Sequence, residues 1–356
     1  MLSLMRCVAL ATRHGSARER STQRPETRTA ETIAAVLQIL SITFPFFALV
    51  LCGYIAARRR MLPLEAIPGL NSFVLFFALP CMLYRFGSTT PLAQLLDGGV
   101  FLIYLVCALV MVGFAVAVSM NQRIGWNDAA FGALVAAFPN TGFMGVPLLV
   151  ALLGPQAAGP AIVTMVVDMV ITTSLCIALS RLDGADEHGA SKAIKNALKG
   201  VATNPLPWAI LLGTVASAVS LELPQPVMQT VGLLADAASP VALFTIGAVL
   251  ARSQMLAAAN KHAPMPLRDY IPVAALKLFL HPVLVLVVGA GAIRLGVPLD
   301  RFALTVLVLV AALPSASNVS LLAERFGADN GRIARIILVS TAVAFLSFST
   351  VVTWMT

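Results

Sequence analysis

Two short stretches of this chain set prolines beside small and amide-bearing residues inside long apolar runs. The first reads Ala137-Phe-Pro-Asn-Thr-Gly-Phe-Met-Gly-Val-Pro147 and the second Leu313-Pro-Ser-Ala-Ser-Asn318. Proline has no amide hydrogen and clashes with the carbonyl four residues back, so Pro139 and Pro314 free the carbonyls of Val135 and Val310. Gly142 and Gly145 tolerate unwound backbone, and Ser315, Ser317 and Asn318 supply polar partners. A helix interrupted at such a point restarts with N-terminal amides worth roughly half a positive charge. Residues 141–145 and 316–320 then make an anion site with Asn140 and Asn318 as orienting amides, while the freed carbonyls suit a cation. The competing reading is a pair of ordinary proline kinks healed by Thr141, Ser315 and buried water.

Three ionisable residues lie in apolar surroundings as well. Asp168 sits in Val166-Val-Asp-Met-Val170; a carboxylate at the centre of a bilayer costs about 2.5–3.5 kcal/mol, so it must face protein or water. It is read either as a carrier of H⁺ or Na⁺ or as a structural hydrogen-bonding group. Lys277 and His281 are four residues apart, hence on one helical face, next to Pro282. Lys277 either snorkels to water or turns inward, where it pairs with Asp168 or attracts substrate; His281 titrates or donates to a carbonyl. No metal site is read from these residues, and no cofactor beyond H⁺ or Na⁺ as a coupling ion.

The elements that must position these groups are membrane helices. Of 356 residues, 59% are hydrophobic and only 11% are charged, too few to cover a soluble fold, in which about 25% is usual. Apolar stretches of spanning length fall near 36–57, 66–84, 98–120, 129–153, 159–180, 206–221, 226–251, 270–293, 302–323 and 334–355, each close to the ~20 residues that a bilayer requires. The expected fold is all-α and polytopic with ten spans. The ten residues 129–138 rise about 15 Å, half of a ~30 Å hydrocarbon core, which puts the first break at the midplane.

The chain repeats itself. Leu134-Val-Ala-Ala-Phe-Pro139 in the fourth span matches Leu309-Val-Ala-Ala-Leu-Pro314 in the ninth, and Phe77-Ala-Leu-Pro80 answers Ala238-Ser-Pro240 more weakly. Two halves of five spans, an odd number, make the repeat inverted, with residues 33–180 and 206–356 as the copies and the broken spans four and nine crossing. Residues 181–205 form a cytoplasmic linker, read either as a short surface helix with Lys192, Lys195 and Lys199 on one face or as a solvated connection. Residues 1–32, with six arginines, read as a disordered extension or as the product of a misassigned start site.

Composition excludes several classes of function. The net charge of +8 is spread between apolar runs, where it sets orientation rather than binding nucleic acid. Fourteen Lys and Arg flank the odd-numbered connections and three the even-numbered ones, placing the odd ones in the cytoplasm and both termini outside. The five cysteines (Cys7, Cys52, Cys81, Cys107, Cys176) form no CxxC pair. No GxxxxGK[ST], HExxH or GxSxG motif occurs, so no ATPase, zincin or serine hydrolase of those types is built in. An intramembrane enzyme using Asp168 and His281, or a gated channel, is a weaker reading than a carrier.

Phe138-Pro-Asn-Thr-Gly-Phe-Met-Gly-Val-Pro147 resembles the fourth-span motif of the auxin efflux carrier family, whose bacterial members include malonate and malate permeases. Similar too are Gly53-Tyr with Arg58, Arg59 and Arg60, Leu79-Pro80, Pro240-Val-Ala-Leu-Phe with Gly247, Lys277 with His281-Pro282, Pro314, and Ser340-Thr341. The resemblance covers about residues 36–356. It implies a fold shared with bile-acid sodium symporters, a scaffold of spans 1, 2, 6 and 7, a mobile transport domain of spans 3–5 and 8–10, elevator movement and a homodimer. It also implies a small organic anion, most naturally a dicarboxylate such as malonate or malate, as substrate, carried across the bacterial inner membrane. Binding falls to Pro139, Asn140, Thr141, Gly142, Gly145, Pro314, Ser315, Ser317 and Asn318. The alternative within carriers is a bile-acid-type sodium symporter. The long central hydrophilic loop of the plant members is missing, which points to a bacterial-type permease.

Overall fold

The computed structural model describes residues 25–89, 97–182, 205–259 and 265–355. Among these the chain is all helical, its only β-type pairings being two isolated bridges. The helices are α1 (Pro25–Arg58), α2 (Leu64–Thr89), α3 (Gly98–Ser119), α4 (Trp126–Ala137), α5 (Thr141–Leu153), α6 (Pro155–Leu179), α7 (Pro205–Ala218), α8 (Gln225–Ala259), α9 (Ile271–Arg294), α10 (Arg301–Ala312), α11 (Asn318–Arg325) and α12 (Asn330–Met355). Seven of them contain a stretch long and apolar enough to cross a membrane; α4, α5, α7, α10 and α11 are shorter. Helix α1 begins at Pro25, inside the 1–32 stretch read as a disordered extension or as the product of a misassigned start site. Residues 1–24 and the linker residues 183–204 lie outside the described part.

Burial explains which helices surround which. Every residue from Ala129 to Ala137 in α4 is buried, as are most of α10, whereas Leu102, Val106, Val110 and Phe114 of α3 lie open on the outside. Apolar side chains turned outward suit a lipid surround, where association is driven by close packing rather than by hydrophobicity. Helices α1, α2, α7 and α8 pack chiefly on one another, and α3, α4, α6, α9, α10 and α12 on one another, with α12 and α5 reaching across to α1.

Two glycine crossings hold the first group together. A Cβ on Gly53 of α1 would overlap the carbonyl of Phe244 in α8, and one on Gly247 would overlap the carbonyl of Val50. Gly87 of α2 and Gly213 of α7 meet in the same way, each against the other helix's backbone. The two crossings share one sequence offset, 53 to 213 and 87 to 247, and the same shift aligns Leu51 with Leu211 and Pro80 with Pro240.

Widened, π-type turns recur at 74–78, 141–145 and 276–280, each ending two residues before a proline (Pro80, Pro147, Pro282). Opening the turn relieves the clash between the proline ring and the carbonyl one turn back. A fourth such turn, Asp168–Thr172, has no proline after it; there the Thr173 hydroxyl donates to the Asp168 carbonyl over 2.8 Å.

Candidate functional site

The two interruptions lie side by side. Helix α4 stops at Ala137 because Phe138, which precedes Pro139, is extended (φ −91°, ψ 102°), and α10 stops at Ala312 because Leu313, before Pro314, is extended (φ −62°, ψ 155°). The breaks run antiparallel: the Asn140 amide donates to the Pro314 carbonyl over 2.8 Å and the Ala316 amide to the Phe138 carbonyl over 2.9 Å. Backbone that each proline denies to its own helix is thus paired with the other break, which is how non-helical chain survives in an apolar interior.

One detail departs from expectation. The Val310 carbonyl is not free; Leu313 closes a tighter turn onto it at 3.1 Å. The Ala311 carbonyl also loses its helical donor, because the amide of Ser315 turns to the Ser340 hydroxyl of α12 (3.2 Å). Lys277 fills the gap, its ammonium donating to the Ala311 carbonyl over 2.7 Å. A positive charge at a helix C-terminus is favourable against the macrodipole.

Around the crossing several polar groups remain unspent. The amides of Gly142 and Phe143 at the start of α5, and of Ser317 and Asn318 at the start of α11, have no protein acceptor among the described residues. The hydroxyls of Thr141 and Ser315 are buried without a partner there, and the side-chain amides of Asn140 and Asn318 make no protein hydrogen bond. Such concentration is unusual, since buried polar groups are nearly always paired. Between this surface and the first helix group lies a cavity of about 10 Å³, edged by Phe143, Ser317, Asn71 and Thr245, room for about one water. Gly142 and Gly145 lie in the widened turn that opens α5, and neither has a positive φ. Their value is space, because a Cβ on Gly145 would come within 2.6 Å of Leu313 Cδ1 and one on Gly142 within 3.2 Å of Met165 Sδ.

Asp168, Lys277 and His281 are fully buried. Lys277 therefore turns inward rather than snorkelling, and no ion pair joins it to Asp168 among the described residues. Its ammonium also lies 3.1 Å from His281 Nδ1, which accepts and leaves the ring hydrogen on Nε2, an atom with no partner among the described residues. Asp168 accepts from Tyr104 (2.7 Å) and Thr172 (3.1 Å). Tyr104 and Arg332 escaped the sequence reading. No signal in the sequence sets Tyr104 apart from Tyr54, which also falls inside an apolar span. Arg332 looked like a flanking charge, yet it is 2% exposed and donates to the carbonyls of Asp269 (2.7 Å) and Asp128 (2.8 Å).

A family model described as membrane transport protein matches residues 38–352. A protein of Rhizobium meliloti (strain 1021) named "Putative malonate transporter" is 30% identical over 312 residues, 86% of this chain and 92% of that one. The "Uncharacterized transporter YfdV" of Escherichia coli (strain K12) is 28% identical over 291 residues, 79% of this chain and 86% of that one. "Auxin efflux carrier component 8" of Arabidopsis thaliana is 24% identical, with coverage of 78% and 87%.

Proposed function

Because this chain belongs to the membrane transport protein family that includes the auxin efflux carriers, and is a multi-pass membrane transporter rather than an enzyme, we propose that it carries a small dicarboxylate such as malonate or malate across the cell membrane. The anion binds where the two broken spans cross. The observation that carries this reading is the set of unspent donors at 140–143 and 315–318, aimed from two helix N-termini. The name of the Rhizobium relative supports a dicarboxylate. The paired breaks and the glycine crossings that share one offset support ten spans in two inverted copies. Helices α1, α2, α7 and α8 act as the scaffold, and the remaining helices move against it as an elevator, in a homodimer with both termini outside.

Coupling falls to H⁺ rather than Na⁺. The carbonyl that a Na⁺ ion would need at the end of α10 is taken by the Lys277 ammonium, so the protein supplies its own cation there, leaving Asp168 as the group that takes up a proton. The test is uptake of malonate by proteoliposomes. Asn140→Ala should abolish uptake, and the thermal stabilisation of purified protein by malonate should vanish with it. Normal uptake by Asn140→Ala removes the site.

A further inference from the structure

We propose that Tyr104 is the positioning residue through which the protonation state of Asp168 is felt at the break between α10 and α11; this rests on the reading of the protein as a proton-coupled anion carrier. A chain of four contacts crosses four helices. Tyr104 of α3 donates to Asp168 of α6 (2.7 Å), its ring lies against that of His281 of α9 (centroids 6.1 Å apart), His281 accepts from Lys277 (3.1 Å), and Lys277 holds the open carbonyl of α10 at Ala311 (2.7 Å). Each of these side chains is fully buried, so a displacement at one end has no solvent into which to dissipate.

The carboxylate and the ammonium sit in one interior without touching, and Tyr104 is the side chain that contacts both halves. The ionisable groups that face Asp168 are Tyr104 on α3, Cys176 on its own helix and Lys277 on α9, with Cys107 and His281 beside the phenol. The buried length of α4 that packs near it, residues 129–137, brings only glycine and apolar residues. When Asp168 takes a proton from a hydronium ion, one O–H bond of that ion breaks and leaves water as the carboxyl O–H bond forms, and the Tyr104 hydroxyl loses its anionic acceptor. The phenol is then released from its short bond, and the His281 ring, whose Nε2 is otherwise unheld, can follow it. The movement reaches Lys277 and, through the Ala311 carbonyl, the wall of the crossing.

The test follows proton entry with a pH-sensitive dye inside proteoliposomes given malonate. The wild type should admit protons with malonate. Tyr104→Phe, which keeps the ring but deletes the hydroxyl, should still be stabilised by malonate yet admit less than about a tenth of the protons per malonate, since a hydrogen bond to a charged group is worth roughly tenfold or more. Gly69→Ala, at a position with nothing within 4 Å, should keep proton entry. No proton entry in the wild type sinks the coupling itself; entry in the wild type that Tyr104→Phe leaves unchanged, or that Gly69→Ala lowers equally, overturns the role of Tyr104. A second readout leaves Tyr104 untouched: the ¹⁵N resonance of His281 should shift in Asp168→Asn, a permanently neutral side chain, and an unmoved resonance also overturns it.

Discussion

The ammonium of Lys277 rests 2.7 Å from the carbonyl of Ala311, at the end of a helix that Pro314 cuts short. Open carbonyls at the end of a broken helix are where transporters of interrupted-helix design hold a coupling cation. Here the cation is covalently part of the chain, and its position follows from a local detail: Leu313 closes onto Val310, and Ser315 is drawn away to Ser340, so that the Ala311 carbonyl is left for Lys277.

Removing that cation should show what it replaces. Lys277→Met leaves the Ala311 carbonyl unpaired and the crossing without its built-in charge, and malonate uptake should fall by about tenfold or more. Uptake by the wild type should be equal in sodium and choline media; a wild type that needs sodium overturns the built-in cation.

The orphan hydroxyls give a test with opposite signs in two measurements. Thr141 and Ser315 bury hydroxyls with no partner among the described residues, a cost to the empty protein of about 1–3 kcal/mol each. Ser315→Ala should therefore leave the melting temperature of the unliganded protein equal or higher, while weakening malonate binding by about tenfold. Lower stability together with unchanged binding would assign the hydroxyl to packing.

Glycine substitutions separate close crossings from open positions. Gly145→Ala sets a methyl group 2.6 Å from Leu313 Cδ1 and should cost about 1–3 kcal/mol of stability, with weaker anion binding as the two breaks are pushed apart. Gly53→Ala meets the Phe244 carbonyl, which cannot turn aside, and should be the more damaging change. Gly69→Ala, with nothing within 4 Å, should be neutral or slightly stabilising in the same thermal assay.

Arg332 ties three segments at one end of the bundle. Its guanidinium donates to the Asp128 carbonyl at the start of α4 and to the Asp269 carbonyl before α9, while its own helix begins beside Asp329, whose amide donates to the Asp128 carboxylate over 2.7 Å. Arg332→Gln should lose about 3 kcal/mol or more, read as a large drop in melting temperature. A Cβ on Gly132 would press to 2.6 Å from Arg332 Nη1. Gly132→Ala should thus be harmful in the wild type and nearly harmless in the Arg332→Gln background, a coupling that a double-mutant cycle measures.

The site was legible in unequal parts. Pro139 and Pro314 declare the breaks, because a missing amide hydrogen acts on the chain's own preceding turn whatever surrounds it. Asp168, Lys277 and His281 were visible as charge in apolar surroundings. Their partners were not: nothing in the sequence distinguishes the phenol of Tyr104, 64 residues from Asp168, from any tyrosine in a span, and Arg332 sits among arginines of which several only flank helices. The glycines of the fourth span were recognised for the unwound turn they lie in, but not for their close neighbours, Leu313 beside Gly145 and Met165 beside Gly142, which only the packing brings there.

What the sequence alone determined is everything that acts along the chain: helical spans from the length of apolar runs, their interruptions from proline, and the rarity of charge within them. What only the tertiary structure decided is which interrupted end meets which. The Asn140 amide finds the Pro314 carbonyl, Lys277 finds Ala311 and Tyr104 finds Asp168 because packing brings distant turns within 3 Å of one another. Hydrogen bonds across such distances leave no periodic trace in the residues that make them.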